Sequence, residues 1–274
     1  MDEGVLDPEG KEEKMTGYLA GNTMEEALEK ARHLNKEGLG TLLAPHWPLE
    51  GYSDPVGKEA MELVTTMGHR MIRGGLSIDP RNFGLDEGWM VAMERLAPLI
   101  TRAEEYGYGV WLDTEDPDSV GATIDLYLGL RPRFPHLAVT IPARIPRALS
   151  DLELIRQVRG RIRLVKGLPI LDAGTPVNEK EVADRFRLLM EILFQESNFF
   201  AIATHDKELL DAAQVLMEKH GKMFEFQMYM GIVDGEARRL IYEGGHPTTL
   251  YLPFGTGASR HLDRLVSTGK VPKS

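Results

Sequence analysis

The feature that most limits how this chain can fold is a rhythm. A short apolar run, a polar loop and a helical pattern follow one another along almost its whole length. The apolar runs fall at 39–44, 75–78, 108–112, 136–141, 162–166, 199–203, 224–228 and 249–252. Runs this short leave no room for an amphipathic turn and read as buried strands. Helix-like spacing occupies 58–72, 118–130, 149–158, 179–196, 207–219, 235–243 and 257–267. Strands alternating with helices imply a parallel sheet covered by helices, and eight such units close more naturally than they stay open. The expected fold is therefore α/β, a (β/α)8 TIM-type barrel with an N-terminal helical extension. That extension starts at Asn22-Thr23-Met24-Glu25-Glu26, where Thr23 can cap free amides and Glu26 can reach back to it. An open doubly wound sheet is the runner-up, and the missing G-x-G-x-x-G after an early strand counts against it.

Composition narrows the function. The chain has no cysteine, which removes disulfides, thiolate zinc sites and cysteine nucleophiles and favours an intracellular, cytoplasmic home. A formal charge of −10 argues against non-specific nucleic-acid binding, which needs surplus Lys and Arg. No apolar run approaches the roughly 18 residues of a membrane span. The opening residues are acidic and unlike a signal peptide, so 1–16 read as a flexible tail and 17–274 as a single barrel domain.

In a barrel of this kind the chemistry sits at the C-terminal ends of the strands. Those ends carry His46, Asp79, Asp113 with Glu115, Arg144, Lys166, Thr204 with His205 and Asp206, Gln227 with Tyr229, and Tyr251. The stretch Ile162-Arg163-Leu164-Val165-Lys166-Gly167 stands out, because a cation enters the strand and another leaves it. Arg163 and Lys166 have an ordinary reading as strand-end cations paired with Asp113 and Glu115. His205 has one as a histidine bonded to backbone, and Asp206 suits a cap on the next helix. By period two, Glu225 and Gln227 share the face that points into the barrel, where both need partners. His46, Asp79, Asp113, Glu115 and His205 could converge on a divalent ion, which leaves a metal-dependent barrel hydrolase open. The lack of an H-x-H or H-E-x-x-H spacing weakens that reading, and no metal ligands are assigned.

Several motifs in register resemble the proline dehydrogenase family over roughly residues 17–268. They are Arg163-Leu164-Val165-Lys166-Gly167, Ala203-Thr204-His205-Asp206, Phe224-Glu225-Phe226-Gln227-Met228 and Tyr251-Leu252-Pro253-Phe254-Gly255, with Tyr18-Leu19-Ala20-Gly21 and Leu112-Asp113-Thr114-Glu115-Asp116 also similar. The resemblance implies a distorted (β/α)8 barrel that holds FAD and takes a hydride from the amine-bearing carbon of proline or a related amino acid to flavin N5. It implies that Arg163 sits by N5 and that Lys166 and Gly167 line the cofactor. Thr204 and His205 would meet its adenine and phosphate portion, and Asp113 and Gln227 the region of the ring. Tyr251 would cover the substrate, and Arg264 would meet its carboxylate. Electrons would pass to a quinone or another acceptor.

The same resemblance marks departures. Arg264 is followed by Leu265 where the family has a second arginine, and His261 replaces a tyrosine. Asp79 stands where a lysine is expected, and Pro45-His46-Trp47 replaces an L-G-E signature. Pro142 replaces a glutamine, and Leu168-Pro169 replaces Ala-Tyr. Losing one cation of a buried anion clamp, and reversing another, costs several kcal/mol of carboxylate binding, with one buried charged contact worth about 3–5 kcal/mol. A non-catalytic, flavin-free member that binds a small molecule is therefore a further open reading.

Overall fold

The structure, a computed structural model, describes residues 16–48, 52–114, 116–167, 178–197, 199–232 and 234–267, apart from the side chains of 16, 234, 241, 242, 264, 266 and 267. Helix α1 (Met24–Lys36) is followed by eight strand–helix units. These are β1 (Gly40–Pro45) and α2 (Asp54–His69), β2 (Gly74–Ile78) and α3 (Trp89–Glu105), β3 (Gly109–Leu112) and α4 (Val120–Leu130), then β4 (Ala138–Pro142) and α5 (Ala148–Gln157). The second half holds β5 (Arg161–Val165) and α6 (Glu179–Glu196), β6 (Phe200–Ala203) and α7 (Lys207–His220), β7 (Glu225–Tyr229) and α8 (Asp234–Tyr242), and β8 (Thr248–Phe254) and α9 (Ala258–Ser267). Each strand pairs in parallel with the next, and β8 returns to β1, closing the barrel.

The capping box at Thr23 forms as its sequence expects. The Glu26 amide donates to Thr23 Oγ1, and the Glu26 carboxylate accepts from the amides of Thr23 and Asn22. One helix departs from the sequence reading, which placed nothing helical between Asp79-Pro80 and Tyr108. The 17-residue α3 lies there with Pro98 inside it. An interior proline reads as a boundary, yet the buried face Ala92, Leu96, Leu99, Ile100 and Ala103 keeps helical spacing, and its packing holds the helix together. The expected tail over 1–16 falls, for residues 1–15, outside the described residues.

Period-two alternation sorts each strand into two faces. Ile162 and Leu164 of β5, Phe226 and Met228 of β7, and Leu250 and Leu252 of β8 point outward into the layer shared with the helices. Each fully buried side chain of this size contributes about 1.5–3 kcal/mol. The inward face is different. Leu42, Trp111, Ala138 and Ala201 pack across the barrel axis, with Phe199 and Tyr251 against them. Gly75, near the start of β2, lies close against β3, where a Cβ would stand 2.6 Å from the Gly109 carbonyl oxygen.

The chain enters over the C-terminal rim. Ala20 donates its amide to the Pro253 carbonyl (2.8 Å), and Gly21 accepts from the Gly255 amide (3.1 Å). Tyr18 and Leu19 pack on Tyr229, Leu262 and Leu265, so the segment ahead of α1 borders the mouth of the barrel between β7, β8 and α9.

Candidate active site

Above the Trp111 floor, the inward face turns from apolar to ionic. Because Ile162 and Leu164 face out, β5 must send Arg163 inward, and only 4% of that residue is exposed. A guanidinium buried to this degree is tolerable only if its donors are used. Nε donates to Thr140 Oγ1 (3.0 Å), and Nη1 to Gln227 Oε1 (3.3 Å). Nη2 donates to Thr140 Oγ1 (2.7 Å), to Ser77 Oγ (3.0 Å) and, at very close range, to Asp113 Oδ1. Ser77 in turn donates to the Asp113 carboxylate at 2.8 and 2.9 Å. The ring of Trp111 lies 5.4 Å below the guanidinium carbon and that of Tyr251 5.8 Å away.

Two further groups fix this cluster from the sides. Gln227 donates its amide nitrogen to Glu225 Oε1 (3.2 Å), which turns its oxygen toward Arg163. Burial pushes the Glu225 carboxyl above the usual carboxylate range, against the pull of hydrogen bonds from Thr249 and Gln227 and of the Arg161 and Arg163 charges. The Tyr251 hydroxyl stands 3.3 Å from Asp113 Oδ2 and 3.3 Å from His46 Nε2.

A second, outer group lies at the ends of β5 and β6. Lys166 Nζ donates to Asp206 Oδ2 (2.6 Å), and the Asp206 amide donates to Thr204 Oγ1 (3.2 Å). Asp206 also caps α7 by accepting from the Glu208 amide. Burial raises its carboxyl pKa, but the Lys166 hydrogen bond and charge outweigh that and hold it below the ordinary value. His205 Nε2 accepts from the Tyr229 amide (2.9 Å), so this ring is tied to β7. Gly167 has φ +86°, and a Cβ there would meet Pro142 Cβ at 3.0 Å and Arg144 Cβ at 3.3 Å. Only glycine suits that turn and that proximity.

Of the residues singled out from sequence, Arg163, Asp113, Gln227 and Tyr251 come together in one buried cluster. Lys166 and Thr204 meet around Asp206, His205 turns to β7, and Gly167 closes the loop after β5. The Arg264 side chain and all of Glu115 lie outside the described residues. The ion-pair expectation holds for Arg163 with Asp113, whereas Lys166 takes Asp206. The residues proposed for a metal go separate ways. Asp79 binds Arg81 (2.6 Å), Asp113 binds Arg163, and the His46 ring faces Tyr251 and His261. Among the described residues no three His, Asp or Glu side chains gather as a metal site. Ser77 and Thr140 were not singled out as site residues. The period of two along β2 and β4, which puts them on the inward face, was the signal that could have found them.

The departures also acquire a geometry. His261 lies on α9 with its ring 4.3 Å from that of His46 and parallel to that of Tyr229 at 6.0 Å. Leu265 is buried against Tyr229 and Leu262. The carboxylate of Asp79 accepts from Arg81 two residues on, whose guanidinium also reaches Asp116 (3.4 Å).

The fold is a closed parallel (β/α)8 barrel with a buried cation, Arg163, hydrogen-bonded on the inward face to Thr140, Gln227, Ser77 and Asp113. Proline dehydrogenase 1 of Bacillus subtilis (strain 168) is 28% identical over 246 residues, which is 87% of this chain and 81% of that protein. The proline dehydrogenase of Deinococcus radiodurans is 25% identical over 262 residues, 91% of this chain and 84% of that one. The crystal structure of proline utilization A (PutA) from Bdellovibrio bacteriovorus, inactivated by N-propargylglycine, has the same fold, with a TM-score of 0.84 at 20% identity. It matches 96% of this chain, which spans 34% of that longer one. No protein-family model matches. The chain is a proline dehydrogenase-like enzyme, divergent in sequence from these relatives. Among the described residues no helix is long and apolar enough to cross a membrane.

Proposed function

We propose that the chain is an FAD-dependent oxidoreductase that removes a hydride from the amine-bearing carbon of proline or a related amino acid. The observation that carries this reading is the buried Arg163, which is held by Ser77, Thr140 and Gln227 on three other strands and by Asp113 just after β3. A fixed guanidinium in a water-poor site stabilises negative charge that grows beside it, without having to reorganise.

The residues present suit a flavin. Arg163 and Gln227 offer a cation and an orientable amide at the centre of the mouth. Lys166 and Thr204 offer a cation and a hydroxyl at the next strand ends. Gly167 lets the turn after β5 pass close against Pro142 and Arg144, next to Lys166. In this reading Arg163, Asp113 and Gln227 hold the ring region, Lys166 and Gly167 line the cofactor, and Thr204 and His205 take its adenine and phosphate end. When bound, FAD supplies the two-electron acceptor. The chain's own residues position the substrate: Tyr251 covers it, and Arg264 meets its carboxylate. Asp79 neutralises Arg81, and Leu265 is apolar, so the carboxylate grip is reduced and relatives of proline, cyclic or N-alkylated amino acids, are included as substrates. A quinone or another acceptor takes the electrons, and the setting is cytoplasmic.

The test is an absorbance scan of the purified protein, followed by anaerobic bleaching with proline and a panel of cyclic and N-alkyl amino acids. Flavin bands that bleach with one of these amines are expected. A colourless protein that also refuses added FAD would refute the reading and leave a flavin-free binding protein in its place.

A further inference from the structure

Oxidising an amine to an iminium requires more than removal of a hydride. The substrate amine enters mainly as an ammonium, and one N–H proton must leave before the carbon can give up a hydride. Arg163 cannot accept that proton, because it stays protonated. Asp113 is engaged by Arg163 and Ser77, which stabilise its charged form.

The Tyr251 hydroxyl stands at the same 3.3 Å from a carboxylate oxygen, Asp113 Oδ2, and from an imidazole nitrogen, His46 Nε2. A phenol has one proton to donate. Turned one way, Tyr251 donates to Asp113 and accepts from a His46 Nε2–H. Turned the other way, it donates to His46. The three groups also run from inside to outside, with Asp113 at 7% exposure and Tyr251 and His46 half-buried. The backbone at His46 is pinned on both sides. Its amide donates to the Phe254 carbonyl (2.8 Å) and its carbonyl accepts from the Gly257 amide (2.9 Å). A Cβ on Gly255 would stand 2.9 Å from that carbonyl oxygen. Next along the chain, Trp47 Nε1 donates to Glu59 (2.9 Å), so the ring of His46 is presented to the mouth from a fixed frame.

We propose that Asp113, Tyr251 and His46 form a proton relay that carries the substrate's amine proton from the Arg163 pocket to the rim. The proposal rests on the amine oxidation proposed above. The substrate N–H bond breaks as a new O–H bond forms on Tyr251. The original Tyr251 O–H bond breaks as an N–H bond forms at His46 Nε2, giving an imidazolium that releases its Nδ1 proton to solvent. The amine nitrogen keeps its electron pair, and the hydride leaves the carbon afterwards. Asp113 positions the Tyr251 hydroxyl and favours its return after each turnover. His46 acts through Tyr251 and is a positioning and relay residue.

The titratable groups facing His46 include Tyr251 from β8, His261 from α9, Asp113 across Tyr251 from the end of β3, and Tyr229 across His261 from β7. With their rings 4.3 Å apart, His46 and His261 disfavour a double positive charge, so His261 stays neutral when His46 takes the proton.

The first measurement needs no flavin. In apoprotein labelled with 15N-histidine, the His46 imidazole is followed by NMR across pH and assigned with His46→Gln. Tyr251→Phe is expected to move the His46 midpoint by about half a pH unit or more, and to leave His69 and His136 in place. In the flavin-loaded enzyme, the bleaching rate should show a limb in the range where an imidazole titrates. His46→Gln should remove that limb and slow bleaching roughly 100-fold or more, with partial rescue by added imidazole. Should His46→Gln fail to fold, as read by circular dichroism, His46→Asn takes its place. A His46 midpoint that ignores Tyr251→Phe, or a variant profile that superimposes on wild type after scaling, overturns the relay. If no amine bleaches the protein, the proposed oxidation fails, and the apoprotein titration still decides whether Tyr251 and His46 share a proton.

Discussion

Replacing Asp113 by Leu leaves the Arg163 guanidinium buried without its carboxylate partner, and strands the Ser77 and Tyr251 hydroxyls that donate to it. Breaking one side of a buried ion pair costs about 3–5 kcal/mol, because the remaining charge stays desolvated. Arg163→Met alone should cost less, about 2–3 kcal/mol, since the Asp113 carboxylate keeps its hydrogen bonds from Ser77 and Tyr251. The double variant Asp113→Leu/Arg163→Met removes both charges and puts apolar side chains beside Trp111 and Tyr251. Such replacements are often neutral or stabilising by about 1–4 kcal/mol. The double variant is therefore expected within about 2 kcal/mol of wild type, which puts the coupling energy between the sites at about 3 kcal/mol or more. Equilibrium urea unfolding followed by far-ultraviolet circular dichroism gives all four stabilities. If the two single effects add to within about 0.5 kcal/mol of the double, the sites are uncoupled and the account of a mutually dependent buried pair is wrong.

Two other expectations follow from named groups. Burial raises the folded pKa of Glu225 above its unfolded value, so its favourable contribution is complete below the ordinary carboxylate range and is lost as pH rises through the folded value. The stability of Glu225→Gln relative to wild type should then grow as pH climbs above about 4 and level off once Glu225 is ionised in the fold; a difference that does not vary with pH would count against this. Gly167→Ala forces a side chain onto a left-handed backbone beside Pro142 and should cost about 1–3 kcal/mol in urea unfolding. Gly235→Ala, in α8 with no atom within 4 Å of the added carbon, serves as the neutral control, and equal effects at the two positions would refute the argument.

The barrel was legible because its strands are buried on both faces and its helices on one, and this contrast repeats in the sequence. Helix α3 escaped because Asp79-Pro80, Gly84, Gly88 and Pro98 all read as breaks, although packing of Leu96 and Ile100 overrides the last of them. At the site, the charged residues announced themselves, since an arginine inside an apolar strand needs a reason. Ser77 and Thr140 did not, because a lone hydroxyl in a strand gains meaning only once its inward direction is known. The bond between Asp79 and Arg81 was equally hidden. It depends on the short 3-10 turn Pro80–Phe83, which folds the guanidinium back onto the carboxylate.

The segment that precedes α1 would be taken, by position alone, for packaging remote from any chemistry. Since it borders the mouth of the barrel and rests on Tyr229, Leu262 and Leu265, it lies beside the rim that carries the candidate site. Alterations at Tyr18 or Leu19 should therefore change which molecules gain entry and how quickly, while the far end of the barrel, where most of the helices turn back, has no such leverage.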